Sequence, residues 1–300
     1  MDWTLLALLS AGTFGVVTAF DKRLIDKHLP SLASFYAAVC ITLVGSAAVV
    51  LAASGGPESA PTGNLIMAGV SGLCWSAGLA MTFWGYKLEE ASRASAVIHV
   101  FPVFVAIMAV GFLDETLAAG QWVAILVVVT GAMLVSLRSS ARSGLGRLTR
   151  SFPVLIGAGF FLALAHLTGK YALEEVSVST FFPIRSIVMA IGFFLLAKPR
   201  AFRQLLVAMR DRQTLVLVVA AEFILAPVGS LTLAGATSLG PVSLVSTMSA
   251  TRPLFVFVIT TLLSAPRIRI LEEPLERNTL ALKLVSLGLI LSGTAALTLL

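Results

Sequence analysis

Charge is scarce in this chain of 300 residues. Only 12% of them are Asp, Glu, Lys or Arg, against about 25% in a soluble globular domain. Hydrophobic residues make up 58%, and the mean hydropathy is +0.97. A soluble fold of this size cannot hide that much apolar surface, so lipid is the solvent expected for most of the chain. The same composition excludes intrinsic disorder. Both cysteines, Cys40 and Cys74, lie inside apolar runs, which argues against a disulfide scaffold. Neither has metal-ligand spacing to a histidine. No Gly-x4-Gly-Lys-Ser/Thr pattern occurs, so no ATP-driven step is expected. The opening Met1-Asp2-Trp3 lacks a basic region, and no cleaved signal peptide is expected. Neither a cofactor nor a metal is expected. The net charge of +6 points to nucleic acid only until the basic residues are located, since they sit in short loops.

What the sequence does hold is ten long apolar runs. They are Trp3–Phe20, Leu32–Ala53, Leu65–Tyr86, Ala94–Leu113, Gln121–Leu137, Phe152–Leu173, Val178–Ala197, Thr214–Ala236, Ser243–Leu263 and Thr279–Leu299. About 20 residues of helix cross a hydrocarbon core of about 30 Å. Backbone polar groups must be satisfied within each run, so the runs predict helices; being continuous rather than alternating, they exclude a β-barrel. Only Glu174-Glu175-Val176-Ser177 separates spans 6 and 7. The odd-numbered loops carry 17 Lys and Arg residues and the even-numbered loops none. By the positive-inside rule this puts the odd loops in the cytoplasm and both termini outside.

The chain also repeats itself. At a shift of 151 residues Gly78 meets Gly229, Ser92 meets Ser243, Ser95 meets Ser246, Pro102 meets Pro253 and Phe104 meets Phe255. The sequence therefore divides into five-helix halves at residues 1–140 and 152–300, joined by a basic linker over 141–151. Five is odd, so the second half is expected to be inverted relative to the first, the arrangement of many secondary transporters. The stretch Ala96–Ser136 reads AVIHVFPVFVAIMAVGFLDETLAAGQWVAILVVVTGAMLVS. Its proline, the Glu115-x-Leu117 at the end of the span, Gln121 and Gly131 resemble the EamA-like members of the drug/metabolite transporter superfamily. The second half resembles them again at Pro253, Glu273-Pro274-Leu275 and Gly293. Arg185 fits an arginine of the family's spans 2 and 7. The first half departs, with no arginine around Tyr36-Ala37-Ala38, and the second carries an extra stretch, Pro266–Leu271. The resemblance implies an all-α integral membrane protein of ten transmembrane helices in two inverted repeats. It implies transport of small solutes without naming one.

Charges inside a membrane span are costly and mark functional candidates. Glu222 lies near the middle of span 8 and Arg252 near the middle of span 9. One reading makes them a substrate site, with Arg252 for a carboxylate or phosphate and Glu222 for an ammonium group or a coupled proton. The other makes them a buried structural pair. Their repeat partners, Ser71 and Phe101, are uncharged. Ser246, Ser249 and Arg252 share a helical face. Pro102 and Pro253 predict helix kinks whose freed carbonyls could line a cavity. His99 and His166 are candidates for cavity lining or for ordinary packing. Arg185 reads as an anion attractor at a cavity mouth or as a side chain snorkelling to head groups. Ser71, Trp75, Gly78 and Thr82 form a polar and aromatic stripe on span 3, with Trp75 as a cavity wall or a packing residue. Phe14 on span 1 is a weaker candidate of the same kind.

The reading that follows is a secondary transporter in a bacterial-type inner or plasma membrane, exporting a small polar or amphipathic metabolite such as an amino acid by alternating access. The alternative within the fold is a drug or lipid-type exporter. An intramembrane enzyme would want clustered His, Asp, Glu or Ser, and a channel a repeated filter segment; neither is present. The partners expected are a small solute and membrane lipids, and monomer and homodimer both remain open.

Overall fold

The computed structural model describes residues 2–88, 97–136, 151–252, 254–256 and 277–299. Among them every regular element is helical. In chain order these are α1 (Trp3–Arg23, continued by a π-helical turn Leu24–His28), α2 (Leu32–Ser54), α3 (Thr62–Leu88), α4 (Phe101–Phe112), α5 (Ala119–Ser136), α6 (Ser151–Leu173), α7 (Val178–Ala208), α8 (Arg212–Leu239), α9 (Val242–Ser249) and α10 (Arg277–Leu299). Six are long and apolar enough to cross a bilayer: Trp3–His28, Leu32–Ser54, Thr62–Gly85, Phe152–Leu173, Val178–Ala208 and Arg212–Leu239. Shorter apolar helices stand at Phe101–Phe112, Ala119–Leu134 and Gly288–Leu297, where spans 4, 5 and 10 are expected. Most of span 9 after Thr251, the basic linker, Glu273 and Pro253 lie outside the described residues.

Local chemistry sets the helix ends. The Asp2 side chain caps α1, Ser31 and Ser34 form a reciprocal capping box on α2, and Gly55 closes α2 at φ 78°. Asp211 caps α8, and hydrogen bonds from the Thr214 amide and hydroxyl hold its carboxyl below the usual carboxylate range. The four residues Glu174–Ser177 turn the chain between α6 and α7, as the sequence indicates. Two spans run further than the sequence reading places them. Span 1 passes Phe20 and stays helical to His28, because basic residues in a last turn complement the carbonyl end of the helix dipole. Span 7 passes Ala197 and resumes after a break at Lys198 (φ 56°, ψ 146°) to end at Ala208. The break falls on the residue before Pro199, where the proline ring disfavours helical geometry. The extension is amphipathic, with Ala201 and Leu205 buried and Arg200 and Arg203 exposed, as suits a helix lying at an interface.

The distribution of polarity is the reverse of a soluble protein. Leu195 is 75% exposed and Phe194 58%, while Ser34, Ser71, Ser243, Ser246 and Thr247 are all 0% exposed. Large apolar side chains face outward and hydroxyls face inward, as expected when the surroundings are lipid and buried hydroxyls satisfy carbonyls of the preceding turn.

The chain divides into two compact units, Met1–Ser76 with Thr168–Gly240, and Ala77–Leu167 with Pro241–Leu300. Each takes helices from both sequence halves. In the first, α1 and α8 run antiparallel in continuous register: Trp3 meets Gly240, Leu6 meets Gly235, Phe14 meets Gly229, and His28 Nδ1 lies 3.1 Å from Thr214 Oγ1 at the far end. Ser10 Oγ donates to the Gly229 carbonyl at 2.8 Å. In the second, α5 and α10 cross at two glycines. A Cβ on Gly131 would stand 2.8 Å from Ile290, and one on Gly293 2.7 Å from Val128. Both glycines permit the close backbone approach that membrane helix pairs use.

Candidate functional site

Spans 4 and 9 are both broken, at matching positions in the second unit. Residues 97 and 98 are helical, His99 and Val100 form a turn, and α4 then begins at Phe101. After α9, Ala250 and Thr251 form the corresponding turn, and helix resumes at Arg252. The hydrogen bonds correspond as well. Val100 N–H donates to Val97 O at 3.3 Å and Val103 N–H to Val100 O at 3.0 Å. Thr251 N–H donates to Met248 O at 3.1 Å and Leu254 N–H to Thr251 O at 2.9 Å. Each of these i to i−3 bonds has its counterpart 151 residues on, the shift at which the sequence repeats. Pro102 sits in the first turn of α4. It opens a helix there, where its missing N–H leaves no bond unmade, instead of kinking one from within. That corrects the expectation of a continuous span 4 with an internal proline kink.

Around these breaks the second unit packs α4, α6 and α9 together through Val105, Ala109, Ala163, Leu167 and Val242. His166 is buried, and its ring stacks on Phe101 with centroids 5.5 Å apart and planes at 18°. His99 is half-buried in the turn itself. Ser249 donates its hydroxyl to Val245 O at 3.0 Å, and Arg252 is half-buried.

Glu222 belongs to the first unit, at the centre of a π-helical segment, Val219–Leu225, inside α8. Such segments widen the helix by one residue and often coincide with functional positions. The side chain is 8% exposed, and its hydrogen-bond partner is the carboxyl of Asp21 on α1. Asp21 is absent from the sequence-derived candidates because the sequence reading ends span 1 at Phe20. Its place inside the helix appears only once α1 is seen to continue and to face α8. Phe14, two turns back on the same helix, lies over Gly229 and packs α1 against α8.

Arg185 departs most from expectation. It is neither at a mouth nor snorkelling: it is 6% exposed. Its guanidinium carbon lies 5.0 Å from the Trp75 ring centroid and 5.4 Å from that of Phe181. The reason is a tight crossing of α3 and α7. A Cβ on Gly72 would strike the Arg185 carbonyl, and one on Gly192 would strike Ser76. With the backbones that close, the arginine is trapped under the indole. Ser71, fully buried, lies beside Gly169 and on the same α3 face as Trp75.

Two further charges serve helix ends. Glu115, beyond α4, accepts from the Val242 amide at 2.6 Å, the Ser243 amide at 3.3 Å and the Ser243 hydroxyl at 2.5 Å. It thereby caps the start of α9 with a negative charge. Lys170 Nζ donates to the carbonyls of Thr237 and Gly240, both at 3.0 Å, at the end of α8. Each charge complements the dipole of the terminus it meets. The sequence signal was Gly240-Pro241, which ends one helix and begins another and leaves end groups needing partners.

Known proteins give the following comparisons. Residues 1–137 match the EamA-like transporter family. No curated protein matches the chain. A solved structure described only as the crystal structure of a protein has a TM-score of 0.72 at 15% identity, over 99% of this chain and 95% of its own. At that identity the likeness is one of fold.

Proposed function

We propose that the chain, whose residues 1–137 match the EamA-like transporter family, is a multi-pass membrane transporter of the drug/metabolite type and a secondary exporter of a small polar or amphipathic metabolite such as an amino acid. The observation that carries this reading is the pair of matching breaks in spans 4 and 9. Interrupted helices are tolerated at membrane depth where the freed backbone is buried in protein or lines a water-filled cavity, and interruptions at corresponding positions of two sequence repeats suit a solute path with alternating access. The inverted ten-helix arrangement, with both termini outside, is part of the proposal and is supported by the loop charge split.

Arg252, with Ser249 and His99 near the breaks, is the proposed solute-facing group of the second unit. Glu222 is the proposed proton-coupling residue of the first. Two carboxyl groups that hydrogen-bond each other hold one proton between them, since two bare carboxylates would repel. In this proposal Glu222 and Asp21 share one proton on the contact between α1 and α8. Releasing that proton leaves two negative charges side by side and loosens this contact, and a cationic solute group restores it. That is the behaviour antiport requires.

The test is transport into proteoliposomes with and without an imposed pH gradient. Gradient-driven accumulation is expected in the wild type and lost in Glu222→Gln, while solute exchange persists. Accumulation that survives in Glu222→Gln would assign the proton elsewhere, with His99 or His166 as the next groups to test.

A further inference from the structure

Arg185 is a buried cation, and among the described residues no carboxylate forms an ion pair with it. Its side chain is 6% exposed, and its Nε has no hydrogen-bond partner. Two aromatic faces, Trp75 at 5.0 Å and Phe181 at 5.4 Å, are its neighbours. The acids nearest in sequence, Glu174 and Glu175, are exposed in the turn before α7. Ring faces attract a guanidinium but accept no conventional N–H hydrogen bonds, and its five donors are arranged as a fork matching an oxyanion. Removing one charge from water without a partner is unfavourable, and nature ordinarily pairs it. The crossing of α3 and α7 at Gly72 and Gly192 holds the group there rigidly, so it has no means of snorkelling out.

We propose that the Arg185 guanidinium, between Trp75 and Phe181, is the recognition point for a carboxylate carried on an aromatic or apolar body. The carboxylate supplies the missing acceptor, and the two rings take the body of the solute alongside the cation. This rests on the transporter reading and narrows it to a solute class, amphipathic monocarboxylates, zwitterionic amino acids included. It also gives the first unit a solute contact of its own. The same oxyanion chemistry is offered by a lipid phosphate, and the experiment separates the two.

The probe is benzoate, with benzamide as its uncharged isostere. The purified full-length protein in detergent is titrated with each while its melting temperature is followed. Benzoate is expected to raise the melting temperature saturably and benzamide to leave it unchanged. Arg185→Gln is expected to weaken the apparent benzoate affinity by about tenfold or more, and Arg185→Lys to retain part of it. An equal response to both compounds, or an undiminished benzoate response in Arg185→Gln, overturns the proposal. Should Arg185→Gln not fold, the comparison of the two compounds on the wild type decides alone, and no benzoate-specific shift overturns it. The titration is repeated in phosphatidylcholine nanodiscs with and without phosphatidylglycerol. Benzoate affinity independent of the anionic lipid supports the solute site, while displacement of benzoate by that lipid assigns Arg185 to a lipid phosphate and overturns it. Binding in detergent requires no transport, so a failed titration leaves the exporter reading standing, and a failed transport assay leaves this one standing.

Discussion

Span 4 and span 9 share a backbone and differ in what they carry. Both are cut by a two-residue turn and both resume one residue before a proline, with the same i to i−3 hydrogen bonds on either side. At the resuming position span 4 has Phe101, stacked on His166, and span 9 has Arg252. The break is thus a property of the repeated sequence and survives replacement of an aromatic ring by a cation. The cation stands on one copy only, while the other carries His99 in its turn. An oriented, polar solute needs that asymmetry, because two identical half-sites would bind either end of it equally well.

The comparison can be broken most directly at the differing position. Arg252→Gln is expected to lower solute transport by about tenfold to a hundredfold, the loss of a charge-assisted hydrogen bond of about 1.5–3 kcal/mol, while the protein still inserts and purifies. Phe101→Leu keeps an apolar group of similar volume and is expected to change transport by less than about threefold, with a stability cost under about 1.5 kcal/mol. Equal losses in the two variants, measured in proteoliposomes, would show that the breaks act as one symmetric site.

Next in size is the capping of α9. Glu115→Ala leaves the Val242 and Ser243 amides without their acceptor and is expected to cost about 2–3 kcal/mol in thermal unfolding. Glu115→Gln, which still accepts, should lose about half of that. A Glu115→Ala protein as stable as the wild type would mean that the start of span 9 needs no cap. Smaller again is Lys170→Met, which removes the cation from the end of α8 on the other side of Gly240-Pro241. About 1 kcal/mol is expected, read from the same unfolding curves. An effect larger than that of Glu115→Ala would reverse the ranking of the two caps.

The smallest effect is expected at the proline that the two spans share. Pro102 occupies the first turn of α4, where no backbone bond depends on its nitrogen. Pro102→Ala should therefore shift stability by no more than about 0.5 kcal/mol and leave transport intact. A large loss in either measurement would show that the proline, and not the preceding turn, maintains the break.

Much of this was legible in the chain itself, for identifiable reasons. Glu174–Ser177 had to be a turn because it interrupts two apolar runs with charge. Gly131 and Gly293 stood out as positions of the family resemblance, and the structure uses both where α5 crosses α10. The matching prolines pointed to the right stretch of each span but were read as kinks, and at Pro102 the structure has a helix start instead. Asp21 and the state of Arg185 were not legible. Asp21 lies just past the last apolar residue of its run, so hydropathy discards it, and only the antiparallel seating of α1 on α8 brings it to Glu222. Arg185 sits two turns into its span, where sequence alone allows it to reach a head group. The close approach of α3 at Gly72 removes that route.

The sequence by itself determined that this protein lives in lipid, that its runs are helices and where most of them turn. Those outcomes follow from local composition, since an apolar run has one solvent that tolerates it and one way to satisfy its backbone there. The tertiary structure decided which helices share a unit, which charges cap helix ends and which one lies against an indole. Each of these depends on residues far apart in the sequence meeting at a fixed helix register, and no local pattern carries that information.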